Sequence, residues 1–190
     1  MRSIAYLLIL LFVALPVNAA VTPNDPAFLK QWYLNAIKAP DAWEKTTGSR
    51  DVIVAVIDSG IDIDHEDTAE NLWVNKGEIA GDGIDNDKNG YIDDVNGWDF
   101  FSNSSDPSAK YSGEDESAKR PLGVHHGQLV SGLIAAVGNN GKGMAGVSWH
   151  VRIMPLRVLS SRGLGAIENV VHAIDYATNN GASILNLSFN

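Results

Sequence analysis

The feature that most constrains this chain is the run Val52-Ile53-Val54-Ala55-Val56-Ile57, which ends in Asp58-Ser59-Gly60. Uninterrupted apolar, largely β-branched residues without polar alternation describe a strand buried on both faces, the habit of parallel sheets with helices above and below. The strand closes on an acid at its carboxyl end, where α/β sheets collect their sites. Far downstream, His126-Gly127 opens an apolar helical stretch. An acid and an imidazole at the ends of neighbouring elements suggest two of the three members of a nucleophilic triad.

The rest of the pattern extends this reading. Leu129, Val130, Leu133, Ile134 and Val137 recur at helical spacing, and Val151, Ile153, Leu156 and Val158 carry the next strand. Ile167, Val170, Val171, Ile174 and Ala177 form a second amphipathic helix, which stops at Asn179-Asn180-Gly181, a left-handed helix end. A strand over Ile184 to Leu187 follows. Strand, helix, strand, helix, strand predicts an α/β domain with a mostly parallel sheet flanked by helices. Asp58 and Ser188 fall at strand ends, and His126 at a helix start. Before the first strand, Pro23, Pro26 and Pro40 restrict the chain to an irregular arm with a short helix near Ala39 to Glu44. Gly77 to Asp99 and Ser102 to Gly123 read as polar surface loops.

Residues 1–19 read as a secretory signal peptide: Arg2, an apolar run from Ile4 to Val17, and a small-residue end cut after Ala19. Pro16 and a run shorter than the ~20 apolar residues of a spanning helix tell against a membrane anchor that persists after cleavage. The expected location is extracellular, with the periplasm as an alternative. The chain has no Cys, so outside the cell it depends on its core or on bound metal. A net charge of −9, with no basic stripe, tells against nucleic acid as a partner.

The acids concentrate in Asp82-Gly83-Ile84-Asp85-Asn86-Asp87-Lys88-Asn89-Gly90-Tyr91-Ile92-Asp93-Asp94. Oxygen donors at alternate positions and a Gly at the sharp turn are how a Ca2+ loop is built. Side chains of Asp85, Asp87 and Asn89, the Tyr91 carbonyl and Asp94 form the expected ligand set. Asp93 is the alternative for the last place, because the loop lacks the Glu that closes an EF-hand.

Asp58-Ser59-Gly60, His126-Gly127, Gly163-Leu164-Gly165 and Asn186-Leu187-Ser188 occur in that order with α/β elements between them. In this the chain resembles the subtilisin-like serine proteases, and more closely their thermitase-like branch, from Val21 through Asn190. Thr22-Pro23-Asn24-Asp25-Pro26 and Ile37-Lys38-Ala39-Pro40-Asp41-Ala42-Trp43 are similar to that branch's N-terminal arm. The resemblance implies that Asp58 orients and stabilises an imidazolium and that His126 is the general base. His125 is the rival base, but the His-Gly pair favours His126. Gly163, Leu164 and Gly165, with Ser188, Phe189 and Asn190, are implied to pair with an extended polypeptide substrate. A second Ca2+ site is implied at Asp25, Asp67 and Asn140, clipping the arm to the core. A further family site near Asp99 is degraded, since Ser102 and Ser104 stand where acids are expected. The chain also departs from the family at Gln128-Leu129-Val130, where Thr-His-Val is usual, and at Asn190, where Gly is common.

The expected function is therefore a secreted, monomeric, calcium-binding serine endopeptidase. Residues 20–190 are expected to be the N-terminal portion of a subtilisin-like peptidase domain, with the nucleophilic serine and the oxyanion donor in a C-terminal part. A chain of this length alone is expected to be inactive. The alternative is a non-catalytic, secreted, calcium-dependent peptide-binding module that keeps the fold and cleft. Continuation of the sequence into Gly-Asn and Gly-Thr-Ser-Met-Ala-like segments would favour the protease.

Overall fold

The computed structural model describes residues 20–110 and 122–189. The signal peptide at 1–19, residues 111–121 of the insertion that ends at Gly123, and the substrate-binding assignment at Asn190 lie outside the described residues. Among the described residues, four parallel strands form one sheet in the order β2-β3-β1-β4. They are β1 (Ile53–Asp58), β2 (Trp98–Asp99), β3 (Arg152–Arg157) and β4 (Ile184–Asn186). Every residue of β1 is buried, as its apolar run requires. β3 matches it residue for residue, from Ile53 against Arg152 to Asp58 against Arg157.

Helices α1 (Trp32–Ala36) and α2 (Ala39–Trp43) lie in the arm, while α3 (His126–Ala135) and α4 (Ile167–Asn179) cover the sheet. Val54, Val56 and Ile153 pack with Ala135 and with half-buried Val130 and Ile134 of α3. Ile53, Ala55, Ile57, Met154 and Leu156 pack with Val170, Ala173, Tyr176 and Ala177 of α4. Side chains alternate across a strand, so a run with no polar member has to be covered on both sides. Burying a side chain of this size contributes roughly 1.5–3 kcal/mol, which makes this double layer the main source of stability. Among the described residues no helix is long and apolar enough to cross a membrane.

The arm has its own small core. Phe28, Leu34, Ala39 and Trp43 pack on Ala145 and Trp149, with the Trp43 and Trp149 rings 4.7 Å apart. Gln31 is buried and doubly bonded to Ala145, donating to its carbonyl at 2.7 Å and accepting from its N–H at 2.9 Å.

Three local expectations are corrected. The arm holds the additional helix α1. The loop expected over Gly77 to Asp99 ends in β2, which is buried and pairs with β3 through Trp98–Leu156 and Asp99–Arg157. A two-residue strand has no periodicity to read. It is admitted by Gly97, where a Cβ would stand 2.1 Å from the Pro155 carbonyl oxygen. In α3 the periodic Leu129 and Leu133 are exposed, and the buried face is Gly127, Ser131, Gly132 and Ala135. Small residues take that face because the helix approaches the end of β1 closely.

Candidate active site

Asp58 ends β1 with no exposed surface, and its carbonyl accepts the N–H groups of Val158 and Leu159 at 2.8 and 3.2 Å. Its side chain is fixed by the Ser59 N–H, which donates to Oδ1 at 2.7 Å. His126 opens α3 immediately after a 3-10 turn over Leu122–His125. Its Nδ1 lies 2.8 Å from both carboxylate oxygens of Asp58. A carboxylate can only accept, so Nδ1–H is the donor and the proton-accepting lone pair falls on Nε2. The His126 side chain is 45% exposed.

Gly127 explains why glycine follows the histidine. A Cβ there would sit 2.5 Å from the Gly60 carbonyl oxygen and 3.2 Å from the Asp58 Cβ. The Gly127 N–H donates to Ser59 Oγ at 3.1 Å, and Ser131 Oγ donates back to the Gly127 carbonyl at 2.8 Å. Thus Asp58-Ser59-Gly60 and His126-Gly127 interlock through backbone as well as through the acid and the imidazole. His125, the rival base, is the exposed residue preceding the helix. Gln128, one of the departures from the family pattern, accepts the Asp62 N–H and donates to Thr68 Oγ1.

The chain leaves Asp58's neighbour Val158 and passes into Gly163-Leu164-Gly165. These three residues line one hollow of about 260 Å³ together with Ile167, Val170 and Phe189. Gly165 is needed where a Cβ would stand 2.3 Å from the Val158 carbonyl oxygen. Ser188 is exposed, with its hydroxyl donating to Asn186 Oδ1 at 2.9 Å.

In the acid loop, Glu78, Asp87 and Asp94 each bring a carboxylate oxygen within 4.8 Å of the others. Glu78 was not among the residues expected from the sequence. It lies outside the alternating run, and the signal is visible only in three dimensions, where it accepts the N–H groups of Asn86, Asp87 and Asp93. Asp94 is fully buried, with Asn75 on Oδ1 at 2.9 Å and Asn89 and the Tyr176 hydroxyl on Oδ2 at 2.9 and 2.5 Å. Burial pushes its carboxyl above the usual carboxylate range, against the pull of those three donors, and the Asp87 charge adds to the rise. Asp93 points elsewhere and accepts from the Gly81 and Gly83 N–H groups at 2.7 and 3.1 Å. Asp85 accepts the Gly90 N–H and shares the Asn89 N–H with Asp87, at 3.0 and 3.1 Å. The Tyr91 ring packs edge-on against Trp98 at 5.1 Å and Tyr176 at 5.0 Å.

At the arm, Asp25 and Asp67 are buried around one loop. Asp25 accepts the Asn139 and Asn140 N–H groups at 2.7 and 3.4 Å. Asp67 accepts the Asn140 side-chain amide at 3.0 Å and the Met144 N–H at 2.8 Å. Asp99, by contrast, is buried against the Arg157 guanidinium at 2.6 Å.

Residues 49–190 match the Subtilase family, Peptidase_S8. The chain belongs to this family. Subtilisin-like protease 1 of Plasmodium berghei is 37% identical over 169 residues, covering 87% of this chain and 26% of that protein. Thermitase of Thermoactinomyces vulgaris is 33% identical over 168 residues, covering 88% of this chain and 47% of that protein. The halolysin-like extracellular serine protease Nep of Natrialba magadii is 31% identical and covers 87% and 26%. This subtilase chain thus spans between a quarter and a half of the length of these relatives. Among solved structures, a protease from Pseudoalteromonas arctica superposes with a TM-score of 0.67 at 28% identity, covering 89% of this chain and 51% of that one. Fervidolysin from Fervidobacterium pennivorans superposes with a TM-score of 0.56 at 25% identity, covering 87% and 21%. The parallel sheet flanked by helices is the subtilisin-like fold.

Proposed function

We propose that this subtilase chain carries the acid and the base of a secreted, calcium-binding serine endopeptidase. The observation that carries the reading is the contact of a fully buried Asp58 carboxylate with His126 Nδ1 at 2.8 Å, at the carboxyl end of the central strand. In this arrangement Asp58 holds the tautomer in which Nε2 takes a serine proton, and its charge stabilises the imidazolium that forms. The serine then attacks a peptide carbonyl, the amine departs with the proton from His126, and water hydrolyses the acyl-enzyme. The hollow shared by Gly163-Leu164-Gly165 and Phe189 accepts side chains of an extended polypeptide, with backbone pairing giving broad specificity.

Calcium fits the donor sets, which are all oxygen and chiefly carboxylate. Asp85, Asp87, Asn89, the Tyr91 carbonyl and Asp94 would hold one ion, joined by Glu78, whose carboxylate lies beside those of Asp87 and Asp94. Asp25, Asp67 and the Asn140 carbonyl oxygen would hold another, joining the arm to the core. Bound calcium supplies structural cross-linking, and no chemical step passes through it. Secretion is supported by the apolar N-terminal run and by the extracellular character named for Nep.

In a version of the protein that carries the nucleophilic serine, His126→Ala is expected to lower casein hydrolysis by about a millionfold with circular dichroism unchanged. His125→Ala is expected to retain activity; the reverse pattern would overturn the assignment. The 190-residue polypeptide by itself is expected to show no cleavage sensitive to serine-directed inhibitors.

A further inference from the structure

One hydroxyl ties the buried end of the acid loop to a helix that borders the substrate cleft. Tyr176 lies in the last third of α4, is 2% exposed, and donates to Asp94 Oδ2 at 2.5 Å. Its ring is held edge-on by Trp73, Tyr91 and Phe100, with centroids 6.4, 5.0 and 5.8 Å away. We propose that Tyr176 is the positioning residue through which a divalent cation held by Glu78, Asp87 and Asp94 fixes α4 and, with it, the Gly163-Leu164-Gly165 segment. This rests on the calcium reading given above.

Three observations carry the inference. Asp94 is located by donors from three separate segments: Asn75 before the loop, Asn89 within it and Tyr176 on the helix. Its place relative to Glu78 and Asp87 therefore depends on where α4 sits. Next, α4 meets the core through Val170, Ala173, Tyr176 and Ala177, and of these only Tyr176 carries a polar group. The other three contribute non-directional packing, to which the hydroxyl–carboxylate bond adds a distance and angle requirement. Finally, the first turns of the same helix border the cleft, because Ile167 and Val170 line the hollow formed by Gly163, Leu164 and Gly165. Whatever α4 contributes to cation binding, the cation returns to α4, since coupling between two equilibria is reciprocal.

The test compares wild type with Tyr176→Phe, which removes the hydroxyl and keeps the ring in its stack. Calcium affinity is measured by calorimetry, and hydrogen exchange of α4 and of residues 78–94 is followed with calcium and with chelator. In wild type, calcium is expected to slow exchange in both regions. In Tyr176→Phe the calcium Kd is expected to rise roughly 10- to 100-fold, as for other residues that orient metal ligands. At calcium concentrations that saturate the variant, protection of residues 78–94 should return while protection of α4 no longer follows the ion. An unchanged Kd together with unchanged calcium-dependent protection of α4 would overturn the proposal and leave the calcium reading standing. If Tyr176→Phe fails to fold, wild type alone decides: calcium binding with α4 exchange indifferent to calcium overturns the proposal. Absence of calorimetric calcium binding to wild type overturns the calcium reading and this inference with it.

Discussion

Two acid-lined regions beside β2 meet the same electrostatic problem in opposite ways. At Asp99 the carboxylate is fully buried, and the protein supplies its own cation: Arg157 at 2.6 Å, with Lys110 at 3.8 Å. The Phe101 and Ser102 N–H groups add two bonds at 2.9 Å, and Arg157 lies 5.1 Å from the centre of the Phe101 ring. At Glu78, Asp87 and Asp94, only neutral donors surround three converging carboxylates, and among the described residues no ion pair reaches them. Like charges this close repel by about 3 kcal/mol per pair at an effective dielectric of about 20. Burial is the main cause of the raised Asp94 carboxyl, and the Asp87 charge adds to it. The difference teaches where this cysteine-free chain would depend on its medium: the Asp99 pocket carries its counter-charge in the sequence, and under the calcium proposal the acid loop would take its own from solution.

The largest expected effect breaks the self-contained side. Arg157→Met leaves Asp99 buried with a distant lysine and should destabilise the fold by about 3 kcal/mol in urea unfolding. Joining it with Asp99→Leu should restore most of that loss, because a buried pair replaced by apolar groups is close to neutral. A single-variant loss below about 1 kcal/mol would show that Lys110 alone neutralises Asp99 and would remove the contrast.

Calcium tests the other side. At 100 times its dissociation constant a bound ion adds about 2.7 kcal/mol, a rise of roughly 5–10 °C in melting temperature for a domain of this size. Asp87→Asn with Asp94→Asn should remove the acid loop's share of this rise, and magnesium should replace calcium poorly. Arg157→Met should leave the calcium increment unchanged, since the two regions answer to different cations. A smaller effect, about 1 kcal/mol and independent of calcium, is expected from Asp93→Asn, which weakens the bonds to the Gly81 and Gly83 N–H groups. Calcium-dependent loss in Asp93→Asn would make Asp93 a ligand after all.

The contrast also separates what was legible in the sequence from what was not. β1 and β3 announce themselves because burial on both sheet faces demands apolar runs, whereas α4 shows through its helical periodicity and is closed by Gly181 at φ 80°; β4, a three-residue strand with Ile184 exposed, shows only as a short apolar stretch. Asp58 and His126 stand out because each sits at the end of such an element. The acid loop is legible as a spacing, but Glu78, which joins from outside the run, is not. The Asp99–Arg157 pair was hidden for a different reason. Its partners lie 58 positions apart and meet only because β2 pairs with β3. Likewise the periodic leucines of α3 were misleading, because close approach to Gly60 and Asp58 selects small residues for the inner face.

The smallest prediction sits between the two regions. Lys110 Nζ lies 3.0 Å from Asp106 as well as 3.8 Å from Asp99, so one lysine joins an exposed pair to a buried one. Partial burial would raise the Asp106 carboxyl, but hydrogen bonds from Ser108 and Lys110, together with the lysine charge, outweigh it and hold it below the usual range. A carboxylate with a depressed folded-state pKa stabilises the fold above its unfolded pKa, and that contribution fades as pH falls through the folded value. Stability of wild type and Asp106→Asn should therefore differ slightly at neutral pH and converge as pH falls through the lowered folded-state value. Asp106 is half exposed, so the neutral-pH difference should stay under about 1 kcal/mol and shrink in high salt. A larger, salt-resistant loss would mean that Asp106 acts through Lys110 on Asp99, making the buried acid dependent on a surface charge and narrowing the contrast with the acid loop.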